Sequence, residues 1–166
     1  MPALKIVVTG PACAGKTTFV RALAESAPVS TEEKVRSLTG TSETTVGLDF
    51  AHATVAGRAV KLFGTPGQER FGYMREELAY GADGIVLLAP MDRDASLRKG
   101  LTFLHQMTPK TLPPVAVGFT RTDRAGVDLP AEVEEALASI AVHVDRIDAR
   151  EPEQCRRLVA ALTEAV

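Results

Sequence analysis

The segment GPACAGKT, Gly10–Thr17, follows the phosphate-binding pattern G-x-x-x-x-G-K-[ST]. It lies between an apolar run and a helical pattern, which is the context that the motif requires. The fixed glycines, Gly10 and Gly15, let the chain turn tightly, so that backbone N–H groups and the start of the helix can surround an anion. Lys16 supplies a positive charge for the outer phosphates, and Thr17 supplies a hydroxyl for Mg²⁺. The segment therefore predicts a nucleotide-phosphate site, without choosing between ATP and GTP.

Four further segments follow along the chain. They are TTVGLDF at 44–50, GTPGQERF at 64–71, FTRTD at 119–123 and DAR at 148–150. Together with the phosphate loop they resemble the Ras-like small GTPases, and the resemblance covers nearly the whole chain. Gly64 departs from it, because the eukaryotic members begin the second segment with Asp. In this respect the chain is similar to the prokaryotic gliding and polarity GTPases of the MglA type.

The resemblance implies that FTRTD and DAR bind the base of GTP or GDP. Asp123 would accept two hydrogen bonds from N1–H and the exocyclic amine of guanine, a pair of donors that adenine lacks. Thr120 stands where the family usually has asparagine, a replacement found in one large subgroup. Arg121 stands in place of a lysine, and its aliphatic stem would cover the base. Ala149 would offer its backbone N–H to guanine O6, beside Arg150. Taken alone, Asp123 has another interpretation, as an ordinary turn residue after a strand.

The resemblance also implies a conformational switch. Thr45 would bring its hydroxyl to Mg²⁺ and its backbone toward the γ-phosphate, and Gly67 would donate its N–H to that phosphate. Both contacts exist only while the third phosphate is present, so their loss would release the flanking segments, about 28–50 and 64–80. Thr44 is the main alternative to Thr45 as the Mg²⁺ ligand, and a solvated loop threonine is the other interpretation.

Hydrolysis of GTP would depend on Gln68, which orients the attacking water, together with Thr45 and Lys16. Ala12 adds a methyl group near the γ-phosphate and Gln68, which should crowd the transition state more than the ground state. We therefore expect slow intrinsic hydrolysis that an activating protein accelerates. The residues expected to hold the phosphates are Gly10, Ala12, Cys13, Ala14, Gly15, Lys16, Thr17 and Thr18.

Gly64 cannot supply the carboxylate that, in the family, holds a water ligand of Mg²⁺. The ion would then depend on Thr17, Thr45, the phosphates and waters, an arrangement that Mg²⁺ accepts. We expect the nucleotide affinity to depend less on Mg²⁺ than in relatives with the aspartate. Asp49 has two interpretations that stay open here: outer-shell support for the ion, or stabilisation of the strand start or switch segment alone.

Short apolar runs alternate with amphipathic stretches along the 166 residues, which predicts a single α/β domain over 1–166. With the phosphate loop, the prediction is a P-loop NTPase fold: a six-stranded, mostly parallel sheet with one antiparallel edge strand and helices on both faces. A tight hairpin is predicted at 56–58, and no helix or strand between Pro28 and Thr45, where the sequence is polar and aperiodic. The predicted strands are Leu4–Thr9, Leu48–Val55, Ala59–Phe63, Gly84–Ala89, Val115–Phe119 and Val142–Ile147. Helical faces are predicted at 19–23, 97–104, 133–140 and 155–162.

The bulk composition argues against several classes of protein. The net charge is −2 and the pI about 5.9, so the chain lacks the basic face that nucleic-acid binding needs. No apolar run reaches the length of a membrane span, and the final residues, ALTEAV, contain no cysteine for prenylation. The two cysteines, Cys13 and Cys155, are expected to be free thiols in a reducing compartment. We expect a cytoplasmic protein with no nucleic-acid partner and no membrane anchor.

Two other functions remain as alternatives. A small ATP-dependent phosphotransferase would need an arginine-rich lid and an acceptor-binding segment, and neither is evident in the sequence. A nucleotide-bound structural module that never hydrolyses GTP would fit Gly64 and Ala12. For the leading interpretation, the resemblance implies an effector and a GTPase-activating partner, with small roadblock-like proteins among the partners.

Overall fold

The computed structural model describes residues 1–27, 29–36, 43–66, 77–92, 98, 113–123 and 131–166, and over 29–36, 43–47 and at 134 only the backbone. Seven strands are described: β1 Leu4–Thr9, β2 Val29–Arg36, β3 Glu43–Val55, β4 Arg58–Gly64, β5 Gly84–Pro90, β6 Val115–Thr120 and β7 Ala141–Arg146. The helices of the described ranges are α1 Lys16–Leu23, α2 Ala131–Ile140 and α3 Pro152–Ala165.

All seven strands belong to one sheet, in the order β2-β3-β4-β1-β5-β6-β7. Strand β3 is antiparallel to β2 and β4, and the other pairs of neighbours are parallel. The predicted α/β class and the mostly parallel sheet are confirmed. Six of the seven strands are the predicted ones, and five of them agree with the prediction to within one residue at each end.

The seventh strand, β2, corrects the prediction of six strands, because it lies in the segment for which no helix or strand was expected. Its sequence, VSTEEKVR, is largely polar and gives no apolar periodicity. As an edge strand, β2 is paired through its backbone to one neighbour, from Val29 opposite Phe50 to Arg36 opposite Glu43. The same pairing extends β3 to Glu43, whereas its predicted start was Leu48.

Apolar side chains cover both faces of the sheet, as β5 illustrates. Val86 and Leu88 belong to the cluster that includes α1 and α3, whereas Ile85 and Leu87 belong to the cluster that includes Leu137 of α2. Burial on both faces explains why β5 is one continuous apolar run. Helices therefore lie on both faces, as predicted. The predicted apolar faces of α1 and α3 are buried. The leucines of the helical face expected at 97–104 (Leu97, Leu101 and Leu104) lie outside the described residues.

A two-residue turn joins β3 to β4. Ala56 and Gly57 have φ angles of 50° and 75°, and positive φ at both positions is typical of the tight turns that match the twist of a hairpin. The turn sets the register: Val55 faces Arg58, and further along the same ladder Asp49 faces Gly64. The predicted hairpin thus places Asp49 at the end of β4.

Candidate nucleotide-binding site

The candidate site lies at the carboxyl end of the parallel strands. The phosphate loop leaves β1, the FTRTD segment ends β6, and the DAR segment joins β7 to α3. Strand β1 lies between β4 and β5, so the connections on its two sides run in opposite directions across the sheet. In open α/β sheets such a reversal leaves a crevice outside the carboxyl ends of the strands, where ligands bind.

The backbone of the phosphate loop explains its two fixed glycines. Gly10 has a φ of 151°, and a Cβ placed on it would lie 2.3 Å from the carbonyl oxygen of Leu88. Gly15 has a φ of 99°, and its Cβ would lie 3.2 Å from the Cβ of Ala149. Within the described chain, no side chain caps the start of α1 and its first turn carries no acidic residue. The amide groups there are therefore available to an anion.

Lys16 is buried at the base of this loop, with 8% of its surface exposed. Its ammonium donates hydrogen bonds to the carbonyl oxygens of Gly10 and Pro11, at 2.9 and 2.7 Å. These bonds fold the side chain back along the loop and hold its charge there. A fixed cation beside the start of a helix favours the binding of a phosphate chain.

A cavity of about 320 Å³ opens beside the phosphate loop. Its volume falls within the usual range of small-ligand pockets, roughly 300–1,000 Å³. All five residues predicted to bind the base line this cavity, together with three predicted phosphate residues. The lining residues are Ala14, Gly15, Thr18, Thr120, Arg121, Thr122, Asp123, Ile147, Asp148, Ala149 and Arg150. The structure therefore brings the segments FTRTD, DAR and GPACAGKT into one site.

The residues at the end of β6 contact the phosphate loop and the segment that follows β5. The buried Thr120 hydroxyl donates a hydrogen bond to the carbonyl oxygen of Ala14 at 2.9 Å. Arg121 pairs with Asp92, with 3.1 Å between its Nη1 and the Asp92 Oδ2. Arg121 also has a φ of 57°, a conformation that costs a non-glycine residue about 1–3 kcal/mol and is concentrated at ligand sites.

The DAR turn is held by its own side chains. Arg150 donates from Nε and Nη2 to the Asp148 carboxylate, and its backbone N–H donates to the same group at 2.9 Å. These hydrogen bonds lower the pKa of Asp148 to about 2. The backbone N–H of Asp148 donates to Gln154 Oε1 at 2.8 Å. Ala149 lies between the two paired residues, so its backbone is presented by a rigid turn.

The charges of FTRTD and DAR also act on each other. Asp148 first, through its hydrogen bonds and charge, and Asp123 to a smaller extent hold the pKa of Arg150 above its ordinary value. Asp123 itself is exposed on the cavity wall. A carboxylate in that position can accept hydrogen bonds from a ligand in the cavity.

A second group of oxygen atoms lies on the other side of the phosphate loop. The Thr17 hydroxyl donates a hydrogen bond to Asp49 Oδ2, so the start of α1 is joined to β3. Asp49 faces Gly64, the last residue of β4. A hydroxyl and a carboxylate are the oxygen donors that suit Mg²⁺, which needs few protein ligands when phosphates and waters complete its shell. These residues therefore fit a magnesium ion beside the phosphate loop.

Comparison with known proteins places this arrangement in a family. The model of the Ras family matches residues 5–125, which include the phosphate loop and FTRTD. The chain belongs to the Ras family. The matched segment is therefore of the GTP-binding, switch type that defines the family.

The Ras-family chain is also similar to individual proteins. It is 30% identical over 133 residues to a Ras and EF-hand domain-containing protein homolog of Mus musculus, covering 76% of this chain and 20% of that protein. It is 30% identical over 129 residues to an uncharacterized protein of Methanocaldococcus jannaschii, covering 75% and 74%. Against the Ras and EF-hand domain-containing protein of Xenopus tropicalis the identity is 28% over 123 residues, covering 70% and 16%. The matches thus span a fifth or less of the two animal proteins and about three quarters of the archaeal one.

Some predicted site residues of this Ras-family chain lie outside the described part. They are Gly67 and Gln68, together with the side chains of Thr44 and Thr45. The backbone of Thr45 lies in β3, opposite Lys34 of β2. Ala12 and Cys13 are exposed on the phosphate loop, and Cys13 has a φ of 63°.

The sequence analysis missed three residues that line the cavity and one residue that contacts its wall. Thr122 and Asp148 belong to the motifs themselves, but the family resemblance implied roles only for their neighbours. Ile147 precedes DAR and lines the cavity from the end of β7. Asp92 follows β5 and reaches the site only through its ion pair with Arg121. No local sequence pattern pointed to Asp92, because its partner lies 29 residues away.

Among the helices of the described residues, none is long and apolar enough to cross a membrane.

Proposed function

We propose that this chain is a guanine-nucleotide switch, a single domain over 1–166 that binds GTP or GDP with Mg²⁺ and hydrolyses GTP slowly. The observation that carries the proposal is the shared cavity of FTRTD, DAR and the phosphate loop, about 320 Å³ in volume. The base-binding segments and the phosphate loop must lie together if they are to bind the two ends of one nucleotide.

Recognition of guanine is assigned to the part of the cavity that FTRTD and DAR line. Asp123 accepts the N1–H and amine hydrogens of the base, and the Ala149 N–H donates to O6. The rigid turn between Asp148 and Arg150 supports this role for Ala149, because a preorganised donor loses little entropy on binding. Arg121, held by Asp92, covers one face of the base with its aliphatic stem.

The phosphates are assigned to Gly10, the segment 12–18 and the start of α1. The backbone amides and Lys16 neutralise the anionic chain, and Thr17 with Thr45 supplies hydroxyl ligands for Mg²⁺. Magnesium held by these two threonines would supply charge neutralisation for the phosphates. When the γ-phosphate is present, Gly67 and Thr45 contact it, and the segments 28–50 and 64–80 are ordered around it.

Turnover is assigned to Gln68, which orients the attacking water, with Thr45 and Lys16 at the phosphate. The exposed methyl group of Ala12 slows the reaction by crowding this water and Gln68. An activating protein restores the rate by ordering Gln68 or by supplying an arginine. We assign the switch to the cytoplasm of a prokaryote and to the MglA-type branch, with effector and roadblock-like partners. The glycine at position 64 supports this assignment.

The test is to extract and identify the nucleotide from purified protein, and then to displace fluorescent GDP with GDP, GTP and ATP. We expect a guanine nucleotide in the extract and displacement by GDP and GTP alone. Equal displacement by ATP would contradict the proposal and favour an ATP-dependent phosphotransferase. Single-turnover hydrolysis of GTP, with and without cell extract, then separates a slow switch from a structural module that never turns over.

A further inference from the structure

Asp49 and Gly64 face each other across the ladder between β3 and β4. On its other side Gly64 pairs with Val8 of β1, two residues before Gly10 of the phosphate loop. The Asp49–Gly64 pair therefore lies beside the loop, at the end of the sheet where the nucleotide site is located. The Asp49 side chain is partly buried there.

Glycine at position 64 provides space. Gly64 is not among the glycines with positive φ in the described chain, so its backbone does not require a glycine. A Cβ placed on it would lie 3.1 Å from Asp49 Cβ, 3.4 Å from Oδ2 and 3.7 Å from Cγ. The three nearest atoms thus all belong to Asp49. A side chain at position 64 would therefore need the volume that the Asp49 side chain now occupies.

The carboxylate that occupies this volume is directed to the phosphate loop. Asp49 Oδ2 accepts the hydrogen bond from the Thr17 hydroxyl, across a separation of 32 residues. When the hydroxyl hydrogen points to a carboxylate, the lone pairs of the oxygen remain free to bind a cation. Groups that accept hydrogen bonds from metal ligands in this way orient the ligand and tune the affinity of the metal.

We propose that Asp49 is the positioning residue for Mg²⁺ in this protein, and that it provides from β3 the carboxylate that position 64 lacks. This inference rests on the proposed function, since it assumes that Thr17 binds Mg²⁺ beside a nucleotide. The sequence analysis expected the nucleotide affinity to depend less on Mg²⁺ than in relatives with the aspartate. The present proposal instead expects a strong dependence, similar to that of those relatives. Glycine at 64 and aspartate at 49 form a matched pair, in which the small residue makes room for the charged one.

The alternative role for Asp49 is purely structural: its hydrogen bond would link β3 to α1 independently of the ion. The two roles differ in one measurable respect. A structural link of this kind stabilises the protein and its nucleotide complex equally with and without Mg²⁺. A positioning residue changes the concentration of Mg²⁺ at which the ion acts and leaves the affinity for GDP in EDTA unaltered.

The experiment measures release of fluorescent GDP from the full chain over a series of free Mg²⁺ concentrations, from EDTA upward. The variants are Asp49→Ala, Asp49→Asn and the relocated pair Asp49→Ala with Gly64→Asp. Asp145→Asn serves as a matched control, because Asp145 pairs with Arg157 at 3.0 Å on the distant edge of the sheet. Electron paramagnetic resonance of Mn²⁺ in the GDP complex gives a second readout that does not depend on release.

We expect Mg²⁺ to slow release strongly in the wild type and in Asp145→Asn. Asp49→Ala should raise the half-effective Mg²⁺ concentration roughly 10–100-fold, the usual effect of losing an outer-shell partner. Asp49→Asn should give a smaller increase, because its amide oxygen still accepts the Thr17 hydrogen bond but carries no charge. The relocated pair should recover much of the loss, and the Mn²⁺ spectra should follow the same order.

Unchanged Mg²⁺ dependence in both Asp49 variants would overturn the inference, and so would an equal loss of GDP affinity with and without Mg²⁺. If Asp49→Ala does not fold, Asp49→Asn and the relocated pair decide the question in the same way. A wild-type protein that binds no fluorescent GDP at all would instead contradict the proposed function, and the inference would fail with it. The two failures are therefore distinguishable from the first titration.

Discussion

The Thr120 hydroxyl donates a 2.9 Å hydrogen bond to the carbonyl oxygen of Ala14. This bond joins the last residue of β6 to the phosphate loop, and it is buried. It therefore links the part of the site assigned to the base with the part assigned to the phosphates. A residue of the same shape without a hydroxyl would leave the Ala14 carbonyl without this donor.

We expect Thr120→Val to lower the free energy of unfolding by about 1–3 kcal/mol, the cost of an unsatisfied buried acceptor. The affinity for GDP should fall as well, because the loop and the base cavity are no longer held together. Urea unfolding without nucleotide and fluorescent GDP titration measure the two effects. Thr163→Val is the control, since the Thr163 hydroxyl donates to a carbonyl of its own helix, that of Ala160. A Thr120 variant that behaves like this control would show that the link is unimportant.

The Asp148–Arg150 pair predicts a pH dependence below neutrality. Arg150 lowers the pKa of Asp148 from 3.8 to about 2. The pKa of Asp148 is lower in the folded protein than in the unfolded chain. The pair therefore stabilises the fold above pH 3.8, and this contribution is lost as the pH falls toward 2. The Arg150 side chain is largely exposed and that of Asp148 partly so, and solvent therefore keeps this contribution small.

Arg150→Gln should therefore raise the pKa of Asp148 toward its ordinary value, which a carboxyl NMR titration would detect. The variant should also bind GDP less tightly at pH 7, because the turn that presents Ala149 loses its internal hydrogen bonds. Arg157→Gln, which breaks an ion pair with Asp145 away from the cavity, is the control for a general effect of removing an arginine. An unchanged titration of Asp148 would refute the assignment of the pair.

The two cysteines should react differently with iodoacetamide. Cys13 is exposed on the phosphate loop, whereas Cys155 is buried in α3 and burial raises its pKa to about 12. Only the thiolate reacts rapidly, so Cys155 should resist modification in the folded protein. Intact mass spectrometry should show one adduct, and GDP with Mg²⁺ should slow its formation by covering the loop. Two adducts in the native protein, or no protection by GDP, would contradict this arrangement.

Ala12→Gly tests the reason for slow hydrolysis. Removing the methyl group should relieve crowding at the transition state and accelerate single-turnover GTP hydrolysis, with little change in GTP affinity. If removal of the methyl group lowers the activation free energy by about 1–3 kcal/mol, the usual cost of overpacking, the rate should rise at least roughly fivefold. An unchanged rate would assign the slow step elsewhere. Gln68→Leu in the same background should remove the gain if Gln68 orients the water.

Much of the site was predictable from the sequence, because its motifs are fixed by close contacts. Gly10 has no room for a Cβ beside Leu88, and such a constraint leaves a recognisable residue at a constant spacing. The buried strands were predictable for a similar reason. A run such as GIVLLAP, buried along its whole length in β5, has few other possible structures.

The parts that escaped prediction depend on pairing between distant segments. Strand β2 is polar and is held by its ladder to β3, so its own sequence carries little signal. Asp49 had two open interpretations, because its position relative to Thr17 and Gly64 follows from the register of the hairpin. Asp92 likewise reaches the site only through Arg121. Such contacts are specified by the assembled fold and leave no local pattern.

Binding of guanine through Asp123 is the central claim, and a reciprocal change of base tests it most directly. Dissociation constants of GDP and xanthosine diphosphate are measured for the wild type and Asp123→Asn, with Asp145→Asn as control. Xanthine carries a carbonyl where guanine carries its amine, so an amide donor at position 123 suits xanthine. We predict that Asp123→Asn weakens GDP binding by roughly 10²–10⁴-fold, the value of two hydrogen bonds to a charged group, and gains affinity for xanthosine diphosphate. Equal GDP affinity in Asp123→Asn and the wild type would contradict the account.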